Sequence, residues 1–216
     1  MRGIFFISLK TNLPNRIYHS ATDLPNSWDD LAVDTIFLQK NYLKALDFSK
    51  PENMQCFFIG FFQEDMLVGI ALAQFLDLNK LDSFGDRDKC FKTTIRNFVF
   101  KNFCSHVLFL GNNMLTGQNA FRFSEKISPV VQSEAVLKAI DDLKDQFEQS
   151  GKKIHITSIK DFEVAEANIH AQNGLDSFYQ FSAQPNMVFD IQKEWNSETD
   201  YIGSFTKKYK DQYKRA

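Results

Sequence analysis

Two rhythms of apolar residues run along this chain, one with a period of three to four and one nearly continuous, and their alternation lays out the elements. Met1 to Leu9 holds the short apolar run Ile4-Phe5-Phe6-Ile7. It is too short for a secretory signal and has no small-residue cleavage site, so it reads as an opening strand. Asn12 to Asn26 is polar, contains Pro14 and Pro25, and reads as a loop. Ser27-Trp28-Asp29-Asp30-Leu31 begins a short helix capped by Ser27 or Asn26. Ile36, Leu38, Tyr42, Leu43 and Leu46 then recur at three- and four-residue steps, one apolar side of a helix that Lys50-Pro51 closes. Phe57 to Phe62 and Leu67 to Ala73 flank the polar turn Gln63-Glu64-Asp65-Met66 and spell a hairpin. Both runs are apolar at nearly every position, which predicts a sheet covered on both faces.

Asp77 to Lys89 is charged and reads as a loop or sheet edge, ahead of a helical stretch with Phe91, Ile95, Phe98, Val99 and Phe103. Val107-Leu108-Phe109-Leu110 is a short central strand that empties into Gly111 to Asn119, a loop with two glycines and three asparagines. The best-marked helix follows, with Ser128 as its cap, Pro129 at its first position, Val136, Ile140, Leu143 and Phe147 along one face, and Gly151 just past its end. Ile154 to Ile159 is the next strand, so residues 107 to 159 spell strand, loop, helix, strand, the grammar of a crossover connection. Asp161 to Gln172 predicts a second helix ending at Asn173-Gly174, and Phe178 to Phe181 with Met187 to Ile191 supply the last strands. Trp195 to Ala216 predicts a helix starting near Ser197 or Thr199. It lacks a stop signal before Lys214-Arg215-Ala216, the pattern expected of a chain cut from a longer one.

Composition narrows the class. A chain of 216 residues, 44% apolar, can bury one substantial core, with two small domains as the alternative. Its 23 phenylalanines, against 6 tyrosines, fall mostly inside the apolar segments and read as core rather than as a base-stacking surface. A formal charge of −2 gives the chain as a whole no electrostatic pull toward nucleic acid or anionic membrane. Cys56, Cys90 and Cys104 form an odd set without a CxxC pair, which argues against a disulfide framework and against a metal site and fits a reducing, cytoplasmic compartment. No segment approaches the roughly 18 to 20 apolar residues of a membrane span.

The order of elements, together with VLFLGNNMLTGQNAFRF at Val107 to Phe123 and DYIGSFTKKYKDQYKR at Asp200 to Arg215, resembles the GNAT acyltransferase superfamily, and within it the N-terminal lobe of Fem-type, two-lobed proteins. The resemblance implies an α/β (α+β) domain over residues 1–194, with a mixed, mostly antiparallel central sheet flanked by helices on both faces. It also implies a basic helix over residues 195–216 that links to a second lobe. As activity it implies N-acyl transfer, acetyl or aminoacyl, from acyl-CoA or a similarly activated small-molecule donor to an amine. A homodimer is compatible with it. The sequence departs from the family where an Arg/Gln-x-x-Gly-x-Gly/Ala loop is usual and Gly111-Asn-Asn-Met-Leu-Thr-Gly117 stands instead. A non-catalytic lobe that binds an acceptor or a partner is therefore the alternative.

An acyl-CoA site needs backbone amides aimed at a pyrophosphate from a loop that enters a helix. Gly111, Thr116, Gly117, Gln118 and Asn119 are the residues for such a cradle, and a plain turn in which Gly and Asn supply positive φ is the competing reading. Amine acylation also needs a base and an acid. His155, which alternates with Ile154 and Ile156, and Tyr179 are the candidates, each weighed against a packing role. His106 and Cys104 read as structural, and Asp161 reads as a helix cap. Lys207, Lys208, Tyr209, Lys210 and Arg215 form a basic, tyrosine-bearing stretch that suits docking on another lobe or, as a further alternative, a nucleic-acid ligand.

Overall fold

The hairpin forms where its apolar runs place it. Strands β2 (Met54–Gln63) and β3 (Met66–Asp77) pair antiparallel and turn through Glu64 and Asp65, whose φ angles of 48° and 64° are both left-handed. That geometry matches the right-handed twist of the strands it joins. Because side chains alternate along a strand, Phe57, Ile59, Phe61, Ala71, Ala73 and Phe75 enter one buried cluster while Cys56, Phe58, Ile70, Leu72 and Leu76 enter another. The continuous apolar runs are thus explained by burial on both faces.

The structure, a computed structural model, describes residues 13–80, 102–115, 120–160, 162, 164–181 and 189–215. The expected opening strand at residues 1–9 and most of the expected helix at residues 91–103 lie outside them. The chain divides into two units, Met1–Phe178 and Tyr179–Ala216. In the first, six strands form one sheet in the order β1-β2-β3-β4-β6, with β5 also on β3. β1 is Asn15–Tyr18, β4 His106–Leu110, β5 Phe121–Phe123 and β6 Ile156–Ile159. β4 and β6 run parallel and the other pairs antiparallel, which is the mixed, mostly antiparallel sheet expected. One face is covered by α3 (Pro129–Gln149), through Ala135, Val136, Ala139, Ile140, Leu143 and Phe147. The other is covered by α1 (Trp28–Leu31) and α2 (Lys40–Ser49), where the Trp28 indole N–H donates to the Leu38 carbonyl at 2.8 Å.

Several expectations change. The polar stretch read as a loop contains β1, whose identity comes from pairing Asn15–Tyr18 with Phe61–Phe58 and not from an apolar pattern. The connection after β4 does not enter a helix. It returns to the sheet as β5, so that β4 and β5 lie end to end along the same edge of β3. Leu72 closes the base of this excursion, accepting from the Gly111 N–H at 2.8 Å and donating to the Ala120 carbonyl at 3.0 Å. Opposite β5, Gly69 is obligatory, since a Cβ there would stand 2.3 Å from the Phe123 ring.

The helix expected from Asp161 is α4 (Val164–Gln172), closed by Gly174 at φ 114°. The described parts of Phe178–Phe181 and Met187–Ile191 contain no strand. The terminal helix is two shorter ones, α5 (Glu198–Gly203), capped by the Ser197 side chain, and α6 (Lys207–Tyr213). Gly203, Ser204 and Thr206, all poor helix formers, stand at the break. Within this second unit Trp195, Tyr201 and Phe205 pack edge to face in sequence, and Phe189 stacks on Trp195.

Candidate functional site

The loop after β4 is held by side chains from three elements. Gln74 points from β3 with no solvent exposure, and its Oε1 accepts from the Asn113 N–H at 2.6 Å while its Nε2 faces the Cys56 sulfur at 3.8 Å. Burial pushes the Cys56 thiol up to about 11, so that sulfur stays protonated. The Asn112 side chain donates to the Tyr42 hydroxyl at 2.8 Å and accepts from the Met114 N–H at 2.9 Å. Lys160, just past β6, donates to the carbonyls of Asn112 and Leu115 at 3.1 and 3.2 Å.

Gly111, at φ 117°, gives its N–H to Leu72. Asn113 gives its N–H to Gln74, Met114 to the Asn112 side chain, and Leu115 to the Asn112 carbonyl at 3.4 Å. An amide donates one hydrogen, so these four are committed to acceptors of this chain and not to a phosphate. Thr116, Gly117, Gln118 and Asn119 lie outside the described residues. Between β5 and α4, Phe121, Phe162 and His170 pack ring on ring with centroids 5.4 to 5.7 Å apart. His170 is 6% exposed, and its Nδ1 lies 2.9 Å from the Ser133 hydroxyl on α3.

His155 is at the other end of the strand pair. It immediately precedes β6 and pairs with the first residue of β4, whereas Gly111 follows the last. The five residues of β4 separate them by about 16 Å, at about 3.3 Å per residue. His155 and Gly111 are thus not brought into one site. His155 stacks on His106 with ring centroids 5.1 Å apart and planes 4° from parallel, and Asp77 lies across the ladder, its Oδ1 3.7 Å from the His106 Nε2. Burial holds His155 below the ordinary histidine value, helped by the charges of His106 and Lys153.

In the second unit Tyr179 is 89% exposed and stacks on the also exposed Phe181. Lys207, Lys208, Tyr209 and Lys210 lie on α6, and Arg215 follows it. The Lys208 ammonium sits 5.9 Å over the Tyr209 ring, and the Tyr213 hydroxyl donates to Glu198 on α5, so the tyrosines face partners inside the unit.

Among the described residues no group of three or more His, Cys, Asp or Glu is placed to hold a metal ion, and no helix is long and apolar enough to cross a membrane. Sequence reasoning singled out neither Gln74 nor His170. A lone glutamine between Ala73 and Phe75 in an apolar strand was the available signal for the first. Compared with known proteins, the chain matches no family model, no curated protein and no solved structure.

Proposed function

We propose that this chain is a binding lobe of an N-acyltransferase-type protein, one that receives an acceptor or a partner and performs no acyl-CoA chemistry with its described residues. The resemblance of Val107 to Phe123 and Asp200 to Arg215 to two-lobed GNAT-like proteins supplies the class, and a mixed sheet with helices on both faces is compatible with it. The observation that carries the non-catalytic reading is the loop after β4. Its Gly111, Asn113, Met114 and Leu115 amides are all spent on acceptors of this chain. Exposed Tyr179, Phe181, Phe189 and Ile191 in the second unit supply apolar area of the kind partners cover.

Isothermal titration of the full chain with acetyl-CoA is the test. The expected result is no saturable heat up to about 1 mM, and a dissociation constant below about 0.1 mM would overturn the proposal and restore a donor site to this lobe.

A further inference from the structure

His155 is joined to His106 by three contacts of different kinds. Its backbone N–H donates to the His106 carbonyl at 2.9 Å, its Nδ1 accepts from the His106 backbone N–H at 3.2 Å, and the two rings stack. A ring nitrogen that accepts a hydrogen bond has its lone pair committed and carries no proton, so the neutral His155 ring is protonated on Nε2. His106 is the reverse. Its Nδ1 faces the Lys153 carbonyl at 2.9 Å, and a carbonyl can only accept, so this nitrogen carries a proton while Nε2 turns toward the Asp77 carboxylate.

The two rings therefore present different nitrogens, and the one His106 turns away from Lys153 is Nε2, opposite Asp77. A proton added to His155 must land on Nδ1, where it displaces the His106 N–H and sets positive charge against the stacked ring. The charged and titratable groups around the pair are Asp77 from β3, His106 from β4, and Lys152 and Lys153 from the segment before β6. Lys152 is drawn aside, its Nζ 5.4 Å from the Phe75 ring.

We propose that His155 is a proton-operated clamp, which when neutral fastens the start of β6 to β4 and when protonated releases it. Among the described residues β6 stands at the end of the strand order, paired to the sheet through β4, so the bonds to His106 are the ones that fasten its start there. Its far end carries Lys160, whose N–H bonds to Leu110 and whose ammonium grips the loop carbonyls of Asn112 and Leu115. Release at His155 loosens the strand that anchors that grip, and acid is felt at the loop on the opposite end of the sheet.

Amide hydrogen exchange on the full chain at about pH 7.5 and about pH 5.5, corrected for intrinsic rates, tests this. In the wild type the His106 amide and the β6 amides should lose protection several-fold at the lower pH. His155→Asn places an amide oxygen where Nδ1 was, an acceptor that does not titrate, and should hold protection level between the two conditions. His155→Leu removes the acceptor and should be unprotected at both. Equal wild-type protection at the two conditions, or an undiminished drop in His155→Asn, overturns the clamp.

Discussion

Gln74 and His170 are both polar side chains inside apolar surroundings, and each finds a hydrogen-bond partner there. Gln74 spends its oxygen on Asn113 and its amide on Cys56, and a buried amide left without such a partner costs about 1 to 3 kcal/mol. His170 has a different consequence, because it titrates. Burial against Phe121 and Phe162 holds its pKa below the ordinary value of 6.5, and the Glu166 carboxylate one turn earlier pulls it partly back. Folding therefore favours the neutral ring. The stabilisation is fully present above the unfolded value and is lost as pH falls through it toward the lower folded value. The urea midpoint should accordingly fall between about pH 7.5 and about pH 5.5, and should fall less in His170→Phe, which keeps a ring in the cage but cannot accept a proton. His155 adds a contribution of the same sign, so the variant should retain part of the slope; a variant slope equal to the wild-type one would remove His170 from the account.

At the scale of elements, α3 is the one whose limits are written most plainly in local chemistry. Ser128 stands at its N-cap position but its side chain makes no capping bond, Pro129 opens the first turn, and Gly151 ends it at φ 77°, with the Lys152 N–H bonded back to Phe147 and the Gly151 N–H to Glu148. That is the paired bonding of a Schellman cap, which needs a left-handed residue after the helix. Nothing lies within 4 Å of a Cβ built on Gly151, so Gly151→Ala isolates the backbone strain from any clash. It should cost about 1 kcal/mol, read as a lower midpoint in chemical denaturation with an unchanged slope. A loss beyond about 3 kcal/mol would mean that packing is involved as well. The hairpin and α3 were legible in the sequence because turn, cap and period act within a few residues. β1 and β5 were not, because Asn-Arg-Ile-Tyr and Phe-Arg-Phe become strands only through the neighbours they pair with. The run from Phe178 to Phe181 fails for the converse reason. It has strand-like residues, but the described sheet gives it no partner, and burial cannot select a strand where Tyr179 and Phe181 stay exposed. The candidate site divides in the same way: glycine at Gly111 was readable from its turn chemistry, whereas the clasp of Gln74, Tyr42 and Lys160 spans residues 42 to 160 and has no local signature.

At the scale of the whole molecule, each unit has internal packing among its described residues. The first contains both clusters that cover the sheet, and Phe178 at its end packs on one of them. The second is organised by the stack of Phe189, Trp195, Tyr201 and Phe205 and by the bond from Tyr213 to Glu198. A sheet with a buried cluster on each face inside the first unit should fold without a later segment, so a chain ending at Phe178 should unfold cooperatively with a Tm within about 3 °C of the full protein. The peptide Tyr179–Ala216 is below the about 40 residues at which a domain without metal or disulfide usually stabilises itself, and it should show no cooperative transition alone. Calorimetry on the two pieces and the full chain separates the cases. A Tm lowered by about 10 °C or more in the shorter chain would show that the sheet needs the second unit, and would move the exposed aromatics from the role of partner surface to that of missing core.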